Sequence, residues 1–320
     1  MQTLLPLQDN ICGAIGHTPV VRLDRLTRRR GAEGGIFAKL EYLNPGASKK
    51  DRVALRIIEE AEAEGTLRPG QPVVEMTSGN TGIGFALVCA IKGYRFIAVM
   101  SRGNSPERVK MIRALGGEVE LVDQGAGGTP GKVSGDDLAL VEVRTHAMLK
   151  ELGAFYANQF HNPANARAYT ETVNEIWEQC AGNVDVFLDF AGTGGTFAGC
   201  AAAFKKINPA IRCYLVEPEG AEFIADGDVS KAGHVIQGGG YKMALDLIDK
   251  SVISGYISVS DAEALDMTRA LASEEGIFGG ISAGANAAAA LKLLNGAEKG
   301  ASIAMLINDS GMKYLSGSVF

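Results

Sequence analysis

Short apolar runs alternate with longer amphipathic stretches over most of the chain. Ile36 to Leu40 has strand character, and Ala54 to Glu64 follows with helical spacing that stops at Gly65. The pairing repeats with Pro72 to Met76 as strand and Gly82 to Lys92 as helix, then Phe96 to Met100 as strand and Pro106 to Leu115 as helix. Glu118 to Val122 reads as a strand and Leu138 to Leu152 as a helix. Later come the strand Val184 to Phe190, the helix Phe197 to Asn208, the strand Cys213 to Glu217 and an alanine-rich helix over Asn286 to Leu294. This alternation predicts an α/β fold with parallel strands joined by right-handed crossovers. No repeat of fixed period is visible, and the Gly-rich segment Gln124 to Asp137 reads as a loop.

Composition narrows the class. The 320 residues are 46% apolar, enough for one large domain or two ordinary ones. A net charge of −6 argues against a nucleic-acid partner, which needs a basic face. No apolar run reaches membrane-spanning length and the first residues lack a signal-peptide pattern, so the expectation is a soluble cytoplasmic protein. Five cysteines without a CxxC pair, and four histidines without HExxH, predict neither a disulfide framework nor a metal site.

Three polar loops follow apparent strands or enter helices, where open parallel sheets bind ligands. Thr77-Ser78-Gly79-Asn80-Thr81-Gly82 offers hydroxyls, an amide and N–H groups at a helix start, which suits a carboxylate or phosphate. Gly192-Thr193-Gly194-Gly195-Thr196 lets backbone approach an anion closely. It is not a dinucleotide fingerprint, because Phe197 stands where GxGxxG needs its last glycine, nor a P-loop, so a small phosphate monoester fits it better. Gly280 to Ala285 enters the alanine-rich helix and contains Ser282, a weak signal alone because serine is a common cap.

Lys49 and Lys50 stand side by side at a further helix start, with Ser48 as the expected N-cap and Val53, Ala54, Ile57, Ile58 and Ala61 as the apolar face. The positive end of a helix dipole is poor company for two ammonium groups. A lysine can form a Schiff base with a cofactor aldehyde while a Gly-rich loop holds the cofactor's phosphate. Pyridoxal phosphate meets that description.

The motifs KLEYLNPGASKKDR, TSGNTG, YANQFHNPAN, GTGGT, VEPEG, EEGIFGGISAGA and DSGMKYLS occur in that order from near residue 16 to near residue 316. In combination they resemble the cysteine synthase (O-acetylserine sulfhydrylase) and cystathionine β-synthase family of fold type II pyridoxal-phosphate enzymes. The resemblance implies two doubly wound three-layer (αβα) domains, tryptophan synthase β-like, with pyridoxal 5'-phosphate in the cleft between them. Residues 1–45 and 154–320 would form the larger domain, and residues 46–153 a smaller mobile one carrying the Lys50 flank and the TSGNTG loop. In the family pattern NPxxSxKDR the lysine before Asp-Arg carries the cofactor, which is Lys50 here; Lys49 takes a variable place and is expected to be a solvated surface lysine.

By the same resemblance Asn80 would meet the cofactor's phenolic oxygen, Gly192, Thr193, Gly194, Gly195 and Thr196 its phosphate, and Ser282 its pyridine nitrogen. Thr77, Ser78, Thr81 and Gln159 would bind the substrate's α-carboxylate. The implied reaction is β-replacement making L-cysteine from O-acetyl-L-serine, or a similar β-activated serine, and sulfide through an α-aminoacrylate. Cysteine desulfhydration and serine-using cystathionine, lanthionine or cyanoalanine synthesis are the rivals. A non-catalytic binding protein on the same fold is disfavoured by the presence of Lys50. A homodimer is implied, with serine acetyltransferase as a candidate partner. Three departures stand out: Gly238-Gly239-Gly240-Tyr241-Lys242-Met243 where the family reads GIGAGF, Arg102 where it commonly has an acidic residue, and an extended loop over Gln124 to Asp137. Tyr241 and Lys242 either reshape the substrate side of the site or point to solvent, and Arg102 raises phosphoserine as a possible donor.

Overall fold

The computed structural model describes residues 6–125, 133–227, 229–230, 233–317 and 319–320. The central part of the Gly-rich segment, 126–132, lies outside them. Its flank is helical sooner than expected: the helix Gly135–Leu152 starts ahead of Leu138, and Ser134 and Asp137 form a capping box at its head.

Ten strands are described: β1 Val20–Arg22, β2 Gly35–Lys39, β3 Val73–Met76, β4 Phe96–Ser101, β5 Glu118–Val122, β6 Phe155–Tyr156, β7 Val186–Phe190, β8 Arg212–Pro218, β9 Gly255–Val259 and β10 Ser302–Leu306. They form a six-stranded sheet in the order β1-β2-β10-β7-β8-β9 and a four-stranded sheet in the order β5-β4-β3-β6. Every pairing is parallel except β1 with β2. A domain boundary at 153 falls just ahead of β6, yet Phe155 and Tyr156 pair with Val73 and Val74. By strand membership the smaller layer therefore runs to Tyr156.

Both sheets are covered on two faces. In β7, Phe187 packs with Phe197 and Phe204 of the helix Gly195–Ile207. Its neighbours Val186 and Leu188 pack with Ala283 and Ala287 of the helix Ile281–Leu294. In the smaller sheet, Phe96 and Ala98 face Val53 and Ile83, while Ile97 and Val99 face Val141 and Met148. This is the alternation of a doubly wound α/β layer, whose buried strands read as nearly continuous apolar runs. β3 and β7 are fully buried, and each nevertheless holds one carboxylate, Glu75 and Asp189.

Helices begin earlier than the apolar periodicity predicts. Three start at Asn80, Gly195 and Ile281, so the polar residues read as loop form their first turns, whereas the helix expected after Ser48 starts at Lys50. Small polar residues suit that place because the first N–H groups of a helix have no partner within it. Ser48 is not the cap of the Lys50–Ala63 helix: its Oγ accepts the N–H of Lys50 at 3.3 Å, and its backbone bridges to Asp309. Gly65 does close that helix, in the left-handed region at φ +71°.

The Lys50 helix is tied to the larger sheet by a buried charge cluster. Arg52 makes two 2.8 Å hydrogen bonds to Glu41 and two to Glu175, and Lys39 lies 2.6 Å from Glu175. Burial alone would raise the Glu175 carboxyl, but Arg52 and Lys39 hold it at about 2, below its ordinary 4.5. A lowered carboxylate stabilises the fold above its unfolded value and loses that contribution as pH falls through the folded one. Denaturant unfolding from pH 5 to pH 2 is expected to show a loss of roughly 3 kcal/mol from this group, and Glu175→Gln is expected to flatten that acid limb.

Candidate active site

The first turns at Lys50, Asn80, Gly195 and Ile281 meet at one cleft of about 840 Å³, open to solvent, between the two sheets. Four helix N-termini give it a positive field suited to anions. Lys50, Thr77, Ser78, Asn80, Thr81, Gln159, Gly192, Thr193, Gly194, Thr196 and Ser282 all line it. Gly195, the remaining expected residue, opens the helix behind the Gly-rich turn.

Lys50 Nζ lies 3.3 Å from Thr193 Oγ1. Burial, then the neighbouring Lys49 ammonium, lower its amine to about 7, against the opposite pull of Asp189 and Glu75. Lys49 itself corrects the sequence reading. It is 7% exposed, and its Nζ lies 2.5 Å from the Asp189 carboxylate in β7. A carboxylate inside a buried strand needs a cation, and the residue just before the helix start supplies it.

The Gly-rich turn requires its glycines. A Cβ on Gly192 would stand 2.7 Å from the Gly238 carbonyl, and one on Gly195 only 2.2 Å from Asn165 Oδ1. Gly194 has φ +82°. The first backbone bond into this helix runs from Ala198 N–H to Gly194 O, leaving the N–H groups of Gly195 and Thr196 without intrahelical acceptors. Asn165 Nδ2 donates to Thr193 Oγ1 at 3.0 Å and to the Gln159 carbonyl at 2.7 Å, which joins the turn to the opposite wall.

On that wall Thr77 Oγ1 accepts the N–H groups of Gly79 and Gly82, shaping the loop. Thr81 donates to Gln159 Oε1 at 2.6 Å, and Gln159 Nε2 to the Met76 carbonyl at 2.8 Å. Asn80 is held at both ends: Nδ2 donates to Asp309 at 2.8 Å and Oδ1 accepts from Lys313 Nζ at 2.9 Å. Arg108 donates to the Ser78 carbonyl and to the Tyr314 hydroxyl, which donates to Asp309. Ser282 Oγ accepts from Asn308 Nδ2 at 3.1 Å, so its own proton is available to the cleft.

The sequence reading missed Asn165, Asp189, Asn308 and Lys313. An acidic residue in the apolar run VFLDF was the available signal for Asp189; Asn165 and Lys313 stand inside the quoted motifs YANQFHNPAN and DSGMKYLS, and Asn308 carries no local mark. Of the two departures in the 238–243 segment, Tyr241 lines the cleft and Lys242 is exposed. Arg102 forms a surface ion pair with Asp123 and is absent from the cleft lining, which does include the buried Arg108.

Glycine positions that admit no side chain, two threonine hydroxyls, unpaired helix N–H groups and a lysine amine near neutrality fit a phosphorylated aldehyde. The comparisons agree. Residues 11–309 match the model of the pyridoxal-phosphate dependent enzyme family, and the chain belongs to it. It is 40% identical to O-ureido-L-serine synthase of Streptomyces lavendulae, covering 99% of this chain and 94% of that one. It is 37% identical to a cysteine synthase of Staphylococcus aureus, covering 98% and 97%. The crystal structure of O-acetylserine sulfhydrylase isoform 3 from Entamoeba histolytica is 33% identical, with a TM-score of 0.90 over 100% of this chain and 94% of that one.

A methyl group on Gly195 must displace Asn165. Gly195→Ala is expected to weaken pyridoxal phosphate binding roughly tenfold or more, read by titrating the cofactor into stripped protein and following visible absorbance.

Proposed function

We propose that the chain catalyses β-replacement on a β-activated L-serine such as O-acetyl-L-serine, with sulfide as nucleophile and L-cysteine as product. The observation that carries this reading is the Lys50 amine, lowered to about 7 and set between an anion-binding turn and a second helix N-terminus. Gly192, Thr193, Gly194, Gly195 and Thr196 would hold the cofactor's phosphate, Asn80 its phenolic oxygen and Ser282 its pyridine nitrogen. Bound pyridoxal phosphate supplies the electron sink that stabilises negative charge at the substrate's α-carbon.

The chain's own residues do the rest. The helix start at Asn80, with Thr77, Ser78, Thr81 and Gln159, would bind and orient the substrate carboxylate. Lys50 would carry the cofactor and, once displaced by the substrate amine, take the α-proton at Nζ. An amine near 7 is neutral often enough to accept a proton and charged often enough to return it. Ser282 offers a hydroxyl rather than a carboxylate, which would hydrogen-bond the ring nitrogen without protonating it. A weaker sink suits loss of a good β-leaving group and discourages transamination.

A second reading concerns the nucleophile alone. The 40% identity to O-ureido-L-serine synthase favours it, as does Tyr241 in the cleft wall. O-Ureido-L-serine bears oxygen on its β-carbon, so an N-hydroxyurea attacking through oxygen would use the same machinery.

Visible spectra of the holoenzyme test both. O-Acetyl-L-serine is expected to replace the resting band, and sulfide to restore it with L-cysteine released. Restoration by hydroxyurea and not by sulfide would move the assignment to the second reading; no response to O-acetyl-L-serine would remove the donor. Lys50→Ala is expected to lower turnover by about 10³-fold or more.

A further inference from the structure

Lys49 and Asp189 hold neither cofactor nor substrate in the reading above, yet both are buried, Lys49 in the cleft lining and Asp189 in β7. Asp189 is fully buried in β7, and its oxygens are divided between two partners. Oδ2 accepts from Lys49 Nζ at 2.5 Å and Oδ1 from Asn286 Nδ2 at 2.9 Å. Asn286 also donates to the Leu306 carbonyl of β10 at 3.0 Å, which fixes the carboxylate between two central strands. Lys49 lines the cleft together with Lys50 and Thr193.

Two buried charges are a costly way to fill space that an apolar pair fills as well. What an apolar pair lacks is a field at the neighbouring amine. The groups acting on Lys50 are Lys49 from the preceding residue, Asp189 from β7, Glu75 from β3, and the Thr193 hydroxyl from the Gly-rich turn. Lys49 pushes Lys50 towards the neutral amine, whereas Asp189 draws it towards the ammonium.

We propose that Lys49 and Asp189 form a matched charge pair whose balance sets the protonation of Lys50, with Lys49 acting as a positioning residue. The inference rests on the assignment of Lys50 as the cofactor-bearing base. Loss of Lys49 leaves the carboxylate alone, so Lys50 keeps its proton to higher pH. Loss of Asp189 leaves the second ammonium alone, so Lys50 gives its proton up at lower pH. An ion pair too distant from Lys50 to act on its amine produces no such opposition.

The test uses full-length holoenzyme as wild type, Lys49→Met, Lys49→Gln and Asp189→Asn. Borohydride reduction followed by peptide mass spectrometry first locates the cofactor. Linkage to Lys50 in the wild type upholds the underlying assignment, and linkage elsewhere removes it together with the proposal. L-Alanine, which has no β-leaving group, is then titrated into each form across pH, and displacement of Lys50 is followed in the visible band. The apparent affinity changes slope where the freed amine titrates. That midpoint is expected to rise by about one pH unit or more in Lys49→Met and to fall by a similar amount in Asp189→Asn. Lys49→Gln keeps a hydrogen-bond donor for Asp189, so it reports the upward shift if the methionine variant does not fold. An unchanged midpoint in a folded single variant, or shifts of the same sign, would overturn the proposal while leaving the Lys50 assignment intact.

Discussion

The guanidinium of Arg52 is held between the carboxylates of Glu41 and Glu175, and the geometry of the cleft depends on that contact. Glu41 lies just beyond β2 and Glu175 on the helix Thr170–Gln179, so the pair ties the helix that begins at Lys50 to the larger layer at two points. Planar, bidentate recognition gives this contact direction as well as strength. Burial alone would raise the Glu41 carboxyl, and Arg52 holds it below the usual carboxylate range. A side chain two residues from Lys50 thereby sets where the Lys50 amine stands relative to Thr193.

With that helix fixed, the rest of the cleft follows from strand order. Thr77 to Thr81 leaves the end of β3, and Gly192 to Thr196 leaves the end of β7, each strand lying inside its sheet. Both loops turn directly into helices, so their N–H groups face outward from carboxyl ends, where open α/β sheets bind ligands. The second wall is braced from the far end of the chain: Asp309, Lys313 and Tyr314 hold Asn80 and, through Arg108, the carbonyl of Ser78. Segments hundreds of residues apart converge on one loop, and its shape is as much a tertiary product as a local one.

That division explains what the sequence revealed. The alternation of strands and helices was legible because buried parallel strands and amphipathic helices leave different periods, and the loops were legible because glycine, serine and threonine mark tight turns before helices. The first turns themselves were not, since residues such as Asn80 and Ser282 carry no apolar period. Lys49 was misjudged for a different reason. A lysine beside a lysine at a helix start reads as solvated, and its partner Asp189 is 140 residues away. Asn308 is equally silent, because an asparagine that braces a serine looks like any turn residue.

The acids in the two central strands complete the electrostatic argument. Glu75 and Asp189 lie in β3 and β7, one from each sheet, and both act on Lys50. Burial raises Glu75 to about 8, opposed by hydrogen bonds from Gln159. Asp189 has a lysine and an asparagine on its two oxygens. The amine is therefore flanked by one acid that is paired with Lys49 and a second, Glu75, that burial raises. Desolvation is the largest influence on Lys50, ahead of Lys49, Asp189 and Glu75, and a drier cleft would strengthen each of these fields as well.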